Sequence, residues 1–137
     1  ISDLMMYLKE KNIRIGIITD GRVEGQKAKF RSLQLDKFVD ELIITDDLAG
    51  NSNVANFRKP NKIAFEIMAR RLNLSFEEMA YVADNPKKDF KAPKELDMRY
   101  LWFNNHHGLN YIKEYQSEAL VVNSVSEMIQ EVKNMIG

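Results

Sequence analysis

Three short stretches carry side chains suited to chemistry on an anionic substrate. In the first, Ile17-Ile18-Thr19-Asp20-Gly21, an apolar run ends in a hydroxyl and a glycine turn. Free backbone N–H groups at Asp20 and Gly21, just ahead of a helix, suit a phosphate oxygen, and the Thr19 hydroxyl adds a donor. A turn in which Thr19 and Asp20 satisfy local backbone groups accounts for the same residues, and for this stretch alone it is the simpler reading. The second stretch is Lys59-Pro60, where lysine brings a point charge fitted to phosphate or carboxylate. Alone, such a lysine reads as solvated surface. Arg58 beside it reads as surface too, or as a contact to the outer part of a substrate. The third stretch runs from Tyr81 to Asp89 and sets Asp84 and Asp89 five residues apart around Pro86. Hard divalent cations such as magnesium (Mg2+) take carboxylate oxygens, keep several waters and accept phosphate as a remaining ligand. These two acids supply part of such a site. In the competing reading Asp84 caps the turn and Asp89 caps the next helix. An acid closing a buried apolar strand fits a metal ligand better.

The elements that must hold these residues follow a strand-helix rhythm, which implies α/β architecture with a parallel sheet. Ser2 or Asp3 caps a first helix with the face Leu4, Met5 and Leu8. Ile13, Ile15, Ile17 and Ile18 then make a buried strand. A helix follows Gly21 through Ala28, Phe30 and Leu33, and Leu42 to Ile44 form a second strand ending at Thr45. Residues 46 to 58 lack periodicity and read as an irregular surface loop, with Asp46 and Asp47 solvated. Pro60 suits the first turn of a helix whose face is Ile63, Ala64, Ile67, Met68 and Leu72. Ser75 and Glu78 have capping-box spacing before a strand at Met79 to Ala83. A helix near Asp89 to Leu96, a strand from Arg99 to Phe103 and a loop from Asn104 to Gln116 come next. Leu120 to Val122 make a last strand, and Ser124 with Glu127 opens a terminal helix lined by Met128, Ile129, Val132 and Ile136. With no linker and no internal repeat, residues 1–137 read as one domain.

A strand ending in Thr, a Lys-Pro pair opening a helix, and a strand ending Asp-x-x-x-x-Asp follow one another here. This succession resembles the second, third and fourth motifs of the haloacid dehalogenase-like (HAD-like) hydrolase superfamily, over nearly the whole chain. The resemblance implies a three-layer, Rossmann-like core and magnesium-dependent hydrolysis of a phosphomonoester. It implies that Thr19 binds the transferred phosphoryl group, helped by the amides of Asp20 and Gly21. Lys59 would neutralise the nucleophile and phosphate, Asp84 would ligate magnesium, and Asp89 would support the metal site or orient the lysine.

This chain departs from the family in having Ala83 where glycine is usual and Asp20 where asparagine is frequent. A larger departure is that no Asp-x-Asp segment follows an apolar strand. In the family that segment supplies the nucleophile, without which phosphoaspartate chemistry cannot occur. Family topology puts its strand at the sheet centre, between those ending at Thr19 and Asp84, and its loss would leave two unpaired edges. With Ile1 running straight into a helix, the expectation is an upstream segment, or a strand-donating partner chain, that completes the protein. Any cap domain, which sets substrate choice in the family, would lie there too, since the interval from Thr19 to Lys59 is too short for a large one.

Composition narrows the partners. Twenty basic residues balance twenty acidic ones, so no global field favours nucleic acid or a membrane surface, and a phosphorylated small molecule is the expected partner. The chain has no cysteine, which removes disulfides and thiolate sites and is compatible with a cytoplasmic location. No apolar run reaches the roughly 20 residues that span a bilayer. The seven methionines read as core, since Met5, Met68, Met128 and Met135 sit at helical spacing. His106 and His107 read as a surface loop. The Tyr100 to Phe103 cluster reads as core rather than a base-stacking platform, and lysines 87, 88, 91 and 94 read as a solvated rim. Two other functions remain to be weighed: a phosphate-binding or scaffolding module without catalysis, and a phosphoacceptor receiver domain, in which the acids precede the threonine.

Overall fold

A computed structural model describes residues 2–50, 52–59, 61–85, 89–104 and 120–136. The chain divides into two compact units, Ser2–Leu74 and Ser75–Gly137, and each is described by itself. The expected turns at Pro60, Pro86, Lys87 and Lys88, and the loop containing His106 and His107, lie outside the described residues.

In Ser2–Leu74, helix α1 (Ser2–Glu10) precedes strand β1 (Gly16–Thr19), helix α2 (Val23–Ser32), strand β2 (Glu41–Ile44), helix α3 (Thr45–Ala49) and helix α4 (Ile63–Leu72). Strands β1 and β2 are parallel, with Gly16 opposite Glu41 and Thr19 opposite Ile44. Helix α4 buries Ala64, Phe65, Met68, Ala69 and Leu72, a stripe at the three- and four-residue spacing of one helical face. It lies close to β1: a Cβ on Gly16 would sit 2.6 Å from Met68 Sδ. Asn73 ends α4 in the left-handed conformation, with φ 55°, which asparagine adopts more readily than most residues.

Several expectations are corrected in this unit. Strand β1 is not buried, since Gly16 is exposed and Ile17, Ile18 and Thr19 are half-buried. Apolar run length cannot report whether a second neighbour covers a strand. Helix α2 buries no residue, and Leu33, expected on its apolar face, is 58% exposed. The stretch 46–58 is not wholly irregular, because α3 and a 3₁₀ turn at Val54–Asn56 occupy it. Asn53 caps that turn by accepting the Ala55 N–H, a local competition that weak periodicity conceals. Helix α4 starts at Ile63 rather than at Pro60, with Asn61 Oδ1 accepting the Ile63 N–H at 2.9 Å.

The amino end of β1 is fastened by Asp40. Its carboxylate accepts the Ile15 N–H at 2.7 Å and the Lys9 ammonium at 2.9 Å. The Ile15 amide above all, then Lys9, holds its pKa below the ordinary carboxylate value. A folded-state pKa below the unfolded one gives stability that is present at neutral pH and lost as pH falls through the folded pKa. The thermal midpoint is therefore expected to exceed that of Asp40→Asn by a steady margin from about pH 5 to 8, and the margin to close below about pH 4. A margin unchanged at low pH would show that the charge on Asp40 is not what matters.

Ser75–Gly137 contains strand β3 (Ala80–Ala83), helix α5 (Lys91–Glu95), strand β4 (Arg99–Phe103), strand β5 (Leu120–Val122) and helix α6 (Val125–Ile136). The strands are all parallel in the order β3-β4-β5. Strand β4 is therefore the middle strand of this sheet, and Leu101 and Trp102 on it are buried. Phe90 and Trp102 form a core against which Tyr81, Ala83, Tyr100 and Val121 pack. The Phe90 and Tyr100 rings stack at 5.4 Å and Tyr81 meets Phe90 edge-on at 6.4 Å. Ser75 donates its N–H and its hydroxyl to Glu78 Oε1, and Ser124 Oγ accepts the Glu127 N–H, as the spacing of both pairs anticipates. Strand β3 departs from expectation, with Ala80 and Val82 exposed and Tyr81 and Ala83 half-buried.

Among the described residues five strands form two sheets, in which β1 pairs with β2 and β3 with β4. No helix among the described residues is long and apolar enough to cross a membrane.

Candidate functional site

Within Ser2–Leu74, the carboxyl ends of β1 and β2 bring together Thr19, Asp20, Gly21 and Lys59. The parallel register sets Thr19 opposite Ile44, so the next residues along each strand, Asp20 and Thr45, are neighbours. Thr45 is completely buried and donates its hydroxyl to Asp20 Oδ1 at 2.7 Å. A buried hydroxyl without a partner would cost roughly 1–3 kcal/mol, which explains why an acid suits position 20. The same Oδ1 accepts the Lys59 backbone N–H at 3.2 Å. One carboxylate oxygen therefore fixes the segment bearing the lysine to the turn after β1.

Thr19 donates its hydroxyl to Gln26 Oε1 at 2.9 Å. The Gln26 carboxamide also lies over Gly21, whose φ is +129° and where a Cβ would meet Gln26 Nε2 at 2.8 Å. Glycine is favoured here for its backbone angle. Turning the carboxamide over would point Nε2 at Thr19 and release the hydroxyl hydrogen to a phosphate oxygen.

Asp46 overturns the reading of a solvated loop acid, whereas Arg58 lies at the surface as expected, with its side chain 41% exposed, and is paired there. Arg58 Nε and Nη2 donate to the two oxygens of Asp46, each at 2.8 Å, and the Asp46 side chain is only 12% exposed. This two-pronged geometry is the strong form of the arginine-carboxylate contact. The guanidinium holds the Asp46 carboxyl below its usual pKa, and the Gly21 amide adds to the effect. Asp46 in turn raises Arg58 above its ordinary value. Asp47 is exposed, as expected.

Asp84 and Asp89 belong to Ser75–Gly137. Asp84 follows β3 directly and is exposed, whereas Asp89 is 3% exposed. Asp89 Oδ2 accepts the Asn85 N–H at 3.2 Å, and the Asp89 N–H donates to the Asn85 carbonyl at 3.0 Å. Asp89 therefore closes the turn after Asp84 instead of capping the next helix, whose N-cap is Phe90. Asp84 is a hard oxygen donor at a strand's carboxyl end, the type magnesium takes. Among the described residues no three His, Cys, Asp or Glu side chains gather.

Sequence reasoning singled out Thr19, Lys59, Asp84 and Asp89 but not the parts played by Gln26, Thr45, Asp46 and Arg58. One signal was available. Ile-Ile-Thr-Asp occurs at 17–20 and again at 43–46, closing β1 at Thr19 and running from the end of β2 into α3 at Thr45.

A family model described as haloacid dehalogenase-like hydrolase matches residues 1–97. A glyceraldehyde 3-phosphate phosphatase of Methanocaldococcus jannaschii is 29% identical over 131 residues, covering 96% of this chain and 54% of that protein. Among solved structures, a HAD phosphatase from Thermococcus onnurineus superposes with a TM-score of 0.76 at 21% identity, over 98% of this chain and 55% of that one. A magnesium-bound form of YfnB from Bacillus subtilis gives 0.74 at 20% identity, over 99% and 54%. The chain spans about half the length of the curated relatives it matches. At these identities the solved structures bear on the fold alone, and it is the same α/β fold.

Proposed function

The chain belongs to the haloacid dehalogenase-like hydrolase family, and from that premise we propose that the complete protein is a magnesium-dependent phosphomonoester phosphatase of the cytoplasm. What carries the reading is the grip of Asp20 on Thr45 and on the Lys59 backbone, which holds a lysine segment beside a hydroxyl-bearing turn. The M. jannaschii relative is named for glyceraldehyde 3-phosphate, so a small phosphorylated metabolite of that kind is the proposed substrate class.

In this reading the Thr19 hydroxyl donates to a phosphoryl oxygen once Gln26 releases it. The Lys59 ammonium offsets charge on the phosphoryl group, and that offset matters most where charge develops in the transition state. Asp84, with support from Asp89, would hold magnesium, and the chemistry such an ion would supply is further neutralisation of phosphoryl charge. The attacking carboxylate comes from outside residues 1–137, on an upstream strand or a strand given by a partner chain. Substrate selection is assigned to that same part of the protein. Residues 1–137 alone are accordingly expected to be inactive.

The test is phosphate release by the complete protein from glyceraldehyde 3-phosphate and from a generic aryl phosphate, with magnesium and then with excess chelator. Turnover that disappears on chelation and returns with magnesium is expected. If the complete protein binds inorganic phosphate and releases none from any ester, it is a binding module instead. Turnover indifferent to chelator would remove the metal from the reading.

A further inference from the structure

Three segments of Ser2–Leu74 form a closed ring of polar contacts. Asp20 Oδ1 accepts from Thr45 and from the Lys59 N–H. The chain neighbours of those two donors, Asp46 and Arg58, are joined by the paired 2.8 Å contacts. Eleven residues of chain lie between Asp46 and Arg58, and the described ones contain the rest of a short helix and one 3₁₀ turn. Local contacts shape the turn around Arg58, whose N–H donates to the Val54 carbonyl at 3.1 Å and whose carbonyl accepts the Asn61 N–H at 3.0 Å, and the ring ties that turn to the ends of β1 and β2. The Asp46 side chain is 12% exposed and that of Arg58 41%, so solvent reaches the pair chiefly from the arginine side.

We propose that Asp46 and Arg58 are positioning residues that set the place of Lys59 relative to the Thr19-Asp20-Gly21 turn, with Arg58 gripping Asp46 through both prongs and the Lys59 amide thereby held on Asp20. The inference rests on the phosphatase reading for its consequence in catalysis, but not for the positioning itself. Asp46→Asn keeps the side chain's shape and gives up the charge that the fork requires. Arg58→Gln removes the fork, while Arg58→Lys keeps the charge and loses the second prong. A misplacement of a charged group by about 1 Å can cost on the order of 10²-fold in rate.

The test measures two quantities on the complete protein and its variants. The first is hydrogen exchange at the Lys59 amide, which the Asp20 contact protects. Exchange is expected to quicken by about tenfold or more in Asp46→Asn and in Arg58→Gln, and by less in Arg58→Lys, while amides of the α4 core stay as slow as before. The second is turnover of a phosphate ester, where kcat is expected to fall about 10–100-fold and KM to move far less. The double variant is expected to be no worse than either single one, because both break one contact. Unchanged exchange at Lys59 would overturn the proposal, and so would exchange that quickens equally throughout the unit. If exchange behaves as expected and the unmutated protein hydrolyses nothing, the positioning stands and the phosphatase reading falls.

Discussion

Asp84→Asn in the complete protein is expected to lower phosphate-ester turnover by about 10³-fold, the several kcal/mol that metal-assisted charge stabilisation contributes. The expectation starts from position. Asp84 is the first residue beyond β3, and its side chain is exposed rather than used to hold the turn. Asp89 does that work, by accepting the Asn85 N–H. An exposed, isosteric substitution that leaves the turn's own hydrogen bonds in place is expected to change stability by no more than about 0.5 kcal/mol. Activity and stability should therefore separate. Magnesium affinity, followed by calorimetric titration, should fall with the activity, since the amide oxygen lacks the charge that a hard divalent cation prefers. Turnover at the unmutated level would take Asp84 out of the metal site, and an unchanged magnesium affinity with reduced turnover would give it a different task.

How much of this could be read from the residues alone depends on the range of the interaction involved. Strands β4 and β5 have the bounds expected for them, because aromatic and β-branched clusters between breakers are local signals. The Ser124 contact at the start of α6 was equally legible, from a side chain reaching three residues ahead, and the α4 face was legible in part, since Ala64, Met68 and Leu72 are buried as expected while Ile63 and Ile67 are half-buried and Phe65 and Ala69 are buried instead. Burial was less so. Ile17, Ile18 and Val82 are apolar enough for a strand covered on both sides, yet none is fully buried, because coverage depends on what lies alongside and not on the strand's own residues.

The candidate site divides in the same way. Thr19 and Asp84 stand at strand ends and Lys59 in a polar stretch ahead of a helix, all places that sequence pattern locates. Asp46 and Arg58 meet across a loop with no period to link them, so composition alone made both look solvated. The repeated Ile-Ile-Thr-Asp marks both strand ends, but only the register, which sets Thr19 opposite Ile44 and so staggers the two copies by one residue, places the hydroxyl of one beside the acid of the other. The structure then shows the outcome, with Thr45 buried on Asp20 and Asp46 turned to Arg58.

Trp102→Ala is expected to cost the unit Ser75–Gly137 about 3–5 kcal/mol, the usual loss for removing a large aromatic side chain from a packed interior. Trp102 is 2% exposed and lies on the middle strand, where it forms a core with Phe90. Tyr81, Ala83, Tyr100 and Val121 pack around that core, and they come from all three strands. No single neighbour can close the space left behind, so the cavity term should be near the upper end of its range. A fall in thermal midpoint on the order of 10 °C is the expected readout. The register adds a consequence for function, since Trp102 is paired with Ala83, the residue before Asp84. Loosening β4 should therefore loosen the strand end that presents Asp84, and turnover should fall even below the melting transition. Trp102→Phe keeps most of the volume and is expected to lose less of both. A midpoint that does not move in Trp102→Ala would mean that the stacked Phe90 and Tyr100 rings hold this sheet without it.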